Sequence, residues 1–181
     1  MKQDTLTNAI LVLRCQKHDE LAFKELVSRW ESHLYYYVRR VIERDNAVWD
    51  ILQETWLAVF QNIHKLEDPW KFPIWLYRIS HNKAINLLRE ENKYVQITDE
   101  EISDYCENNF LDYSKQQAEN VHELLSKLKL AHREVLTLYY LEGFSIKEMA
   151  DILEVSEGTV KSRLHYAKKR ITEMSKGAND V

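Results

Sequence analysis

Between Leu21 and Ile42 the apolar residues Phe23, Leu26, Val27, Trp30, Leu34, Val38 and Val41 return at steps of three and four. That spacing lays them along one face of an α-helix, whereas a strand, with its period of two, cannot bring them to one side. A stripe this long needs something to pack against, and a second helix is predicted from about Ala47 to Ile63, with Val48, Ile51, Leu52, Thr55, Val59 and Phe60 facing inward by the same rule. The run Asp68-Pro69-Trp70-Lys71-Phe72-Pro73 then breaks helical structure, because each proline lacks an N–H and pushes the preceding residue toward extended backbone. A new helix is expected near Pro73, a residue tolerated in a first turn. With three Gly and two Pro in 181 residues, the chain has little turn material for an all-β fold, so the expected class is all-α.

The formal net charge of −4 weighs against a nucleic-acid binder if it is taken as an average. Its distribution says otherwise. From Val95 to Glu123 lie Asp99, Glu100, Glu101, Asp104, Glu107, Asp112, Glu119 and Glu123 against the single base Lys115, whereas Glu157 to Lys176 carries Lys161, Arg163, Lys168, Lys169, Arg170 and Lys176 against Glu157 and Glu173. The helical pattern also weakens in the acidic stretch. We therefore expect two small helical domains, 1–94 and 118–181, joined by an acidic linker over 95–117.

After the linker Val121, Leu124, Leu125 and Leu128 begin another helical pattern, which Val135, Leu136, Leu138 and Tyr139 continue as far as Leu141. Gly143 suits the left-handed residue that ends such a helix. Ser145 and Glu148 then form an S-x-x-E capping box ahead of Met149, Ala150, Ile152 and Leu153. Ser156 is placed to cap one more helix, and a short turn around Glu154-Val155-Ser156 makes the pair a helix-turn-helix. In the second helix of the pair Val160, Leu164, Ala167, Ile171 and Met174 must face the core. Gly158, Ser162, His165 and Lys169 consequently lie opposite, flanked by Thr159, Lys161, Arg163 and Tyr166. A small residue near the amino end permits close approach to a groove, and Ser, Arg and Lys can contact base edges or phosphates.

Two further faces follow from spacing in the amino-terminal half. Asp50, Gln53, Glu54, Leu57 and Gln61 fall together on the side of their helix away from the core, a carboxylate face with one apolar member that suits a basic helical partner and would also suit plain solvent. In the helix from Pro73 to Arg89, burying Leu76, Tyr77, Ala84, Leu87 and Leu88 puts Arg78, Asn82 and Arg89 in one outer stripe, with Trp75 and Asn86 at its margin. Cations, amides and an aromatic ring on one surface can hold the phosphates of separated DNA while bases stack or enter pockets.

Several classes are argued against. No run of about 18 apolar residues exists, and Arg14 and Lys17 interrupt the apolar patch near the start, so neither a membrane span nor a signal peptide is expected and the protein is placed in the cytoplasm. Cys15 and Cys106 lie far apart, with no CxxC or His/Cys cluster, and no disulfide, metal or cofactor is expected. The seven histidines show no H-E-x-x-H spacing, Glu100-Glu101 sits in the linker, and no glycine-rich phosphate loop exists, so the chain is not read as an enzyme.

The stretch F-S-I-K-E-M-A-D-I-L-E-V-S-E-G-T-V-K-S-R-L-H-Y-A-K-K-R resembles region four of sigma-70-type RNA polymerase sigma factors, in their extracytoplasmic-function (ECF) branch. It also resembles the helix-turn-helix of LuxR-type regulators. The segments D-E-L-A-F-K-E-L-V, W-D-I-L-Q-E-T-W-L-A-V-F and W-L-Y-R-I-S-H-N-K-A-I-N-L-L-R resemble region two of the same ECF branch, in the same order. The resemblance implies that Asp50, Gln53, Glu54, Leu57 and Gln61 bind core RNA polymerase. It further implies that Trp70, Lys71, Phe72, Trp75, Arg78, Asn82, Asn86 and Arg89 meet the −10 element of promoter DNA, with Leu66 a further loop candidate. Gly158, Thr159, Lys161, Ser162, Arg163, His165, Tyr166 and Lys169 would meet the −35 element. It implies an anti-sigma factor as a third partner. The chain departs from the pattern at Asn86, often Asp, at Glu90, often Arg, and at Tyr166, often Arg, which puts promoter preference and phosphate affinity in question more than polymerase binding. The competing reading is a stand-alone helix-turn-helix regulator whose amino-terminal helices sense a signal or dimerise.

Overall fold

The structure, a computed structural model, describes residues 2–42, 45–92 and 121–177. The expected acidic linker, 95–117, lies outside the described residues. Every regular element among them is helical, and they fall into two compact units: Met1–Arg89 with Asp151–Leu153, and Glu90–Ala150 with Glu154–Val181.

In the first unit α1 spans Lys2–Cys15, α2 Glu20–Ile42, α3 Asp45–Asn62 and α4 Phe72–Asn92. Two short 3₁₀ turns, Ile63–Lys65 and Pro69–Lys71, lie between α3 and α4. Helices α2, α3 and α4 start and stop within a few residues of the sequence expectation, while α1 was not foreseen. It packs against α2 and both 3₁₀ turns, and its Ala9, Leu11, Val12 and Cys15 are buried. The joint between them is tight: His18 takes a left-handed conformation (φ 63°), and Asp19 Oδ1 accepts from the N–H groups of Leu21 and Ala22 at 3.0 and 3.1 Å, capping α2. Arg14 clasps the other carboxylate oxygen through Nε and Nη2, at 2.9 and 2.8 Å.

The core of this unit is rich in aromatic rings. Tyr37 and Tyr77 are fully buried with centroids 5.1 Å apart, and Trp30 meets both Phe72 and Tyr77 edge-on at 6.2 Å, a geometry favoured by the ring quadrupoles. The Tyr37 hydroxyl lies 3.4 Å from Nδ1 of His81, a buried polar residue on α4.

From residue 121 onward come helical residues 121–126, α5 (Leu130–Leu136), α6 (Ile146–Leu153) and α7 (Glu157–Gly177), all but Asp151–Leu153 of α6 belonging to the second unit. Helix α5 lies against α7, and Leu125, Leu128, Val135, Leu138, Val160, Leu164 and Ala167 are buried. Ile171 and Met174, expected in the core, are half-buried. One expectation is corrected here. Residues Thr137–Leu141 form a π-helical turn, closed by the Glu142 N–H on the Thr137 carbonyl at 3.1 Å. The chain leaves it through Gly143 at φ 76°, with the Phe144 N–H on the Leu138 carbonyl at 3.0 Å. The wider turn shifts the helical phase, so Leu138 stays buried while Tyr139, expected inside, is exposed together with Tyr140 and Leu141.

Candidate nucleic-acid and partner interfaces

On α3, burial of Val48, Ile51, Leu52, Thr55 and Val59 leaves Asp50, Gln53, Glu54, Leu57 and Gln61 exposed on the opposite side. Leu57 is 56% exposed among these polar neighbours, and Glu54 is paired across to Lys83 of α4 at 2.8 Å. Beside this face runs an open groove of about 770 Å³ between α2 and α3, lined by Phe23, Val27, Trp49, Trp56, Leu57 and Phe60. Phe60, expected to point inward, is instead 58% exposed and rests edge-on against Phe23 at 5.2 Å. A signal for this groove was available: α3 carries Trp49, Trp56, Leu57 and Phe60 in addition to a complete inward stripe, more apolar surface than one core face absorbs.

The segment after α3 is shaped by Asp68, whose carboxylate accepts from the Trp70 N–H at 3.0 Å and caps the Pro69–Lys71 turn. Trp70 is thereby left 53% exposed, with Lys71 also at the surface. Phe72 corrects the expectation that it forms part of a DNA-contacting loop. It is the first residue of α4 and 0% exposed, wedged against Trp30 and Trp75, because a large apolar ring gains more by filling the core than by standing in water. On α4 Asn82, Asn86 and Arg89 are exposed, Trp75 and Arg78 half-buried, so the polar stripe expected from the spacing lies along one side of the helix. Leu66 is half-buried.

In the second unit the capping box at α6 is complete: the Glu148 N–H donates to Ser145 Oγ at 3.3 Å and the Ser145 N–H donates to Glu148 Oε2 at 2.8 Å. Helix α6 ends at Glu154 in the left-handed region (φ 55°), and the Val155 N–H reaches the Ala150 carbonyl at 3.2 Å. Ser156 Oγ accepts from the Thr159 N–H at 3.1 Å and lies 2.9 Å from its hydroxyl, fixing the entry to α7. Gly158, Lys161, Ser162, His165, Tyr166 and Lys169 are exposed there, and Thr159 and Arg163 are half-buried. The Ser162 hydroxyl donates back to the Thr159 carbonyl at 2.9 Å. At Gly158 an added Cβ would meet only Ser156 Oγ, at an ordinary 3.7 Å, so the protein itself leaves room for a side chain at this position. Burial, followed by the nearby charges of Lys129 and Arg163, holds the His132 imidazole below its usual range.

A second groove, of about 450 Å³, opens between helical residues 121–126, the π turn and α7, lined by Val121, Leu124, Tyr140, Leu141, Lys168 and Ile171. Tyr140 is 56% exposed at its rim. The Lys168 ammonium sits 5.8 and 5.5 Å from the ring centres of Tyr139 and Tyr140, and the proximity of the Tyr140 hydroxyl raises its proton affinity. Residue spacing missed this surface because it depends on the π turn. Among the described residues no group of His, Cys, Asp and Glu could hold a metal ion, and no helix is long and apolar enough to cross a membrane.

Residues 26–94 match the family model for sigma-70 region 2, and residues 118–171 that for sigma-70, region 4. Among similar proteins, the ECF RNA polymerase sigma-E factor of Haemophilus influenzae is 32% identical over 184 residues, covering 93% of this chain and 95% of that protein. The ECF RNA polymerase sigma factor SigM of Bacillus subtilis is 29% identical over 163 residues, 88% of this chain and 99% of its own. Among solved structures, CnrH in complex with the cytosolic domain of CnrY superposes with a TM-score of 0.71 at 25% identity, over 94% of this chain and 98% of that one. The sigma factor RpoE of Bartonella quintana, in complex with the anti-sigma factor NepR, shares the fold with a TM-score of 0.72 at 23% identity, over 85% and 96%.

Proposed function

This chain belongs to the ECF branch of the sigma-70 family of RNA polymerase sigma factors, and from that premise we propose how its surfaces divide the work of starting transcription. The outer face of α3 docks on core RNA polymerase. The carrying observation is that Asp50, Gln53, Glu54, Leu57 and Gln61 share one exposed face beside an uncovered apolar groove. Acidic and amide groups around one aliphatic anchor are complementary to a basic helix, and the groove offers burial that isolated surface ion pairs do not.

Trp70, Lys71, Trp75, Arg78, Asn82, Asn86 and Arg89 engage the −10 element as its strands part: the cations and amides hold phosphates, and an exposed indole offers a face on which an unstacked base can rest. Phe72 supports this surface from within. The −35 element is met by Gly158, Thr159, Lys161, Ser162, Arg163, His165, Tyr166 and Lys169 on α7. Gly158 is compatible with this reading, since it is exposed and puts no side chain between this part of α7 and an incoming DNA backbone. Residues 1–94 and 118–181 are the two working modules, and 95–117 tethers them, so that two modest DNA contacts add on one polymerase scaffold.

The protein supplies no chemistry of its own; polymerase makes the RNA, and a protein that works on polymerase belongs in the cytoplasm. An anti-sigma factor is the third partner in this reading, placed over the apolar grooves when the factor is idle; the sigma factor RpoE of Bartonella quintana was solved in complex with one, NepR. A stand-alone regulator would have no use for the region 2 likeness over 26–94. The decisive experiment mixes the full chain with sigma-free core polymerase and a promoter library in run-off transcription. Transcripts should start at sites sharing two spaced elements, and Asp50→Ala with Gln53→Ala should abolish co-purification with polymerase. Transcription unchanged by the factor, or tight site-specific DNA binding without polymerase, would defeat the reading.

A further inference from the structure

We propose that Gln16 is a positioning residue for the −10 element: its side-chain amide braces the loop that carries Trp70. This rests on the reading above that the loop meets the −10 element. Gln16 follows directly on α1, held there by its N–H on the Val12 carbonyl at 2.9 Å. From this half-buried position Nε2 donates to two carbonyls far away in the chain, Ile63 at 3.0 Å and Leu66 at 2.8 Å. One amide nitrogen on two acceptors three residues apart fixes the orientation of the 3₁₀ turn they belong to as well as its distance from α1. Helix α1 also packs against both 3₁₀ turns that flank the loop.

The loop has reason to need a brace. Leu66 (φ −74°, ψ 102°) and Asp68 (φ −111°, ψ 101°) are extended, and their local bonds run within the turns: the Leu66 N–H to the Ile63 carbonyl at 3.2 Å, and the Lys71 N–H to the Asp68 carbonyl at 3.0 Å. At its far end the segment is anchored by Phe72, sunk in the core. Gln16 anchors the near end. Residues 67–71 thus span two fixed points, with the Trp70 ring held outward between them before any ligand arrives. Ordering a loop in advance removes that cost from binding, which is how a residue that does not face the DNA can alter recognition of it.

The test uses holoenzyme assembled from core polymerase and the full chain. Gln16→Met keeps the length and apolar stem of the side chain and loses both donors; Gln16→Ala loses them without adding an apolar group. Run-off transcription is measured on a parent promoter, on versions altered at −10 and on versions altered at −35, with Trp70→Ala alongside. Both Gln16 variants should lose about tenfold on the parent promoter, two hydrogen bonds' worth, and their preference for the parent over −10-altered promoters should shrink by a similar factor. Preference at −35 and the polymerase concentration for half-saturation should not move. An equal loss on every promoter with −10 preference intact would overturn the proposal, since that is what general destabilisation does. Full −10 preference in the Gln16 variants beside its collapse in Trp70→Ala would overturn the brace alone. Full preference in all three variants would overturn the reading of the loop itself.

Discussion

Phe72 and Trp70 are two residues apart, aromatic, and equally eligible in sequence for a DNA-contacting loop, yet one is 0% and the other 53% exposed. They should therefore fail in opposite ways. Phe72→Leu keeps an apolar group but forfeits the ring contacts with Trp30 at 6.2 Å and Trp75 at 6.3 Å. At about 0.5–1.5 kcal/mol for each aromatic pair, the loss is about 1–3 kcal/mol, and Phe72→Ala should cost about 3–5 kcal/mol with its cavity. All five tryptophans, Trp30, Trp49, Trp56, Trp70 and Trp75, lie in the first unit, so tryptophan fluorescence follows unfolding of that unit within the intact chain. With a urea dependence of about 1–3 kcal/mol per molar, the midpoint of Phe72→Leu should drop by about 1 M. Trp70→Ala should leave the midpoint within experimental error and instead flatten discrimination among promoters altered at −10. The reasoning is refuted if Phe72→Leu unfolds like the parent while losing −10 discrimination, because a residue sealed in the core cannot contact DNA without leaving it.

Three further outcomes follow from local geometry. The hydrogen bonds from Ala22 and then Arg14 hold the Asp19 carboxyl below its ordinary 3.8, so its contribution is complete above the unfolded value and is lost as pH falls through the folded one; Asp19→Ala should melt lower than the parent at pH 7, with the gap closing in thermal scans below pH 3.8. Burial, with Asp19 adding to it, pushes the Cys15 thiol from 9.0 to about 11, so in a Cys106→Ala background at pH 8 its alkylation by iodoacetamide should run about a hundredfold slower than that of an ordinary thiol, a thiolate being the reactive form; a rate equal to that of the unfolded chain would contradict its burial. His18 holds a left-handed backbone that costs an L-residue roughly 1–2 kcal/mol, partly offset by glycine's greater freedom when unfolded, so His18→Gly should raise Tm by about 2–4 °C, and a fall would show that the His18 side chain itself stabilises the joint.

The periodicity of α2, α3 and α4 and the capping serines at 145 and 156 were legible because each depends only on neighbours within one or two turns. What failed to show was of two kinds. Phe72 looked like loop because it stands beside Pro73 in a proline-bounded run, and a sequence pattern cannot tell that Trp30, forty-two positions earlier, will close over it. Phe60 and Tyr139 failed for the opposite reason. Both are apolar residues in sound helical register whose core places were already filled, Phe60 because α3 carries more rings than its inner face accepts, and Tyr139 because the π turn carries it past the core. Helix α1 escaped notice because its buried residues alternate with the exposed Leu6, Ile10 and Leu13, which blurs the contrast between its faces.

The second kind of failure is informative in itself. A helix selected only for its own fold keeps apolar residues on one stripe, since a large ring left in water gains nothing from folding. Where Trp49, Leu57 and Phe60 gather outside a completed stripe, and where Tyr140 and Leu141 do so in the second unit, the surplus forms grooves of about 770 and 450 Å³ instead of scattered points. Polar residues sit at the edge of each: Gln53 at the first and Lys168 at the second. An apolar floor with a polar margin is the anatomy of an interface core awaiting its other half. The sites where amphipathic reasoning misjudged burial are therefore the ones where this chain is expected to be completed by another protein.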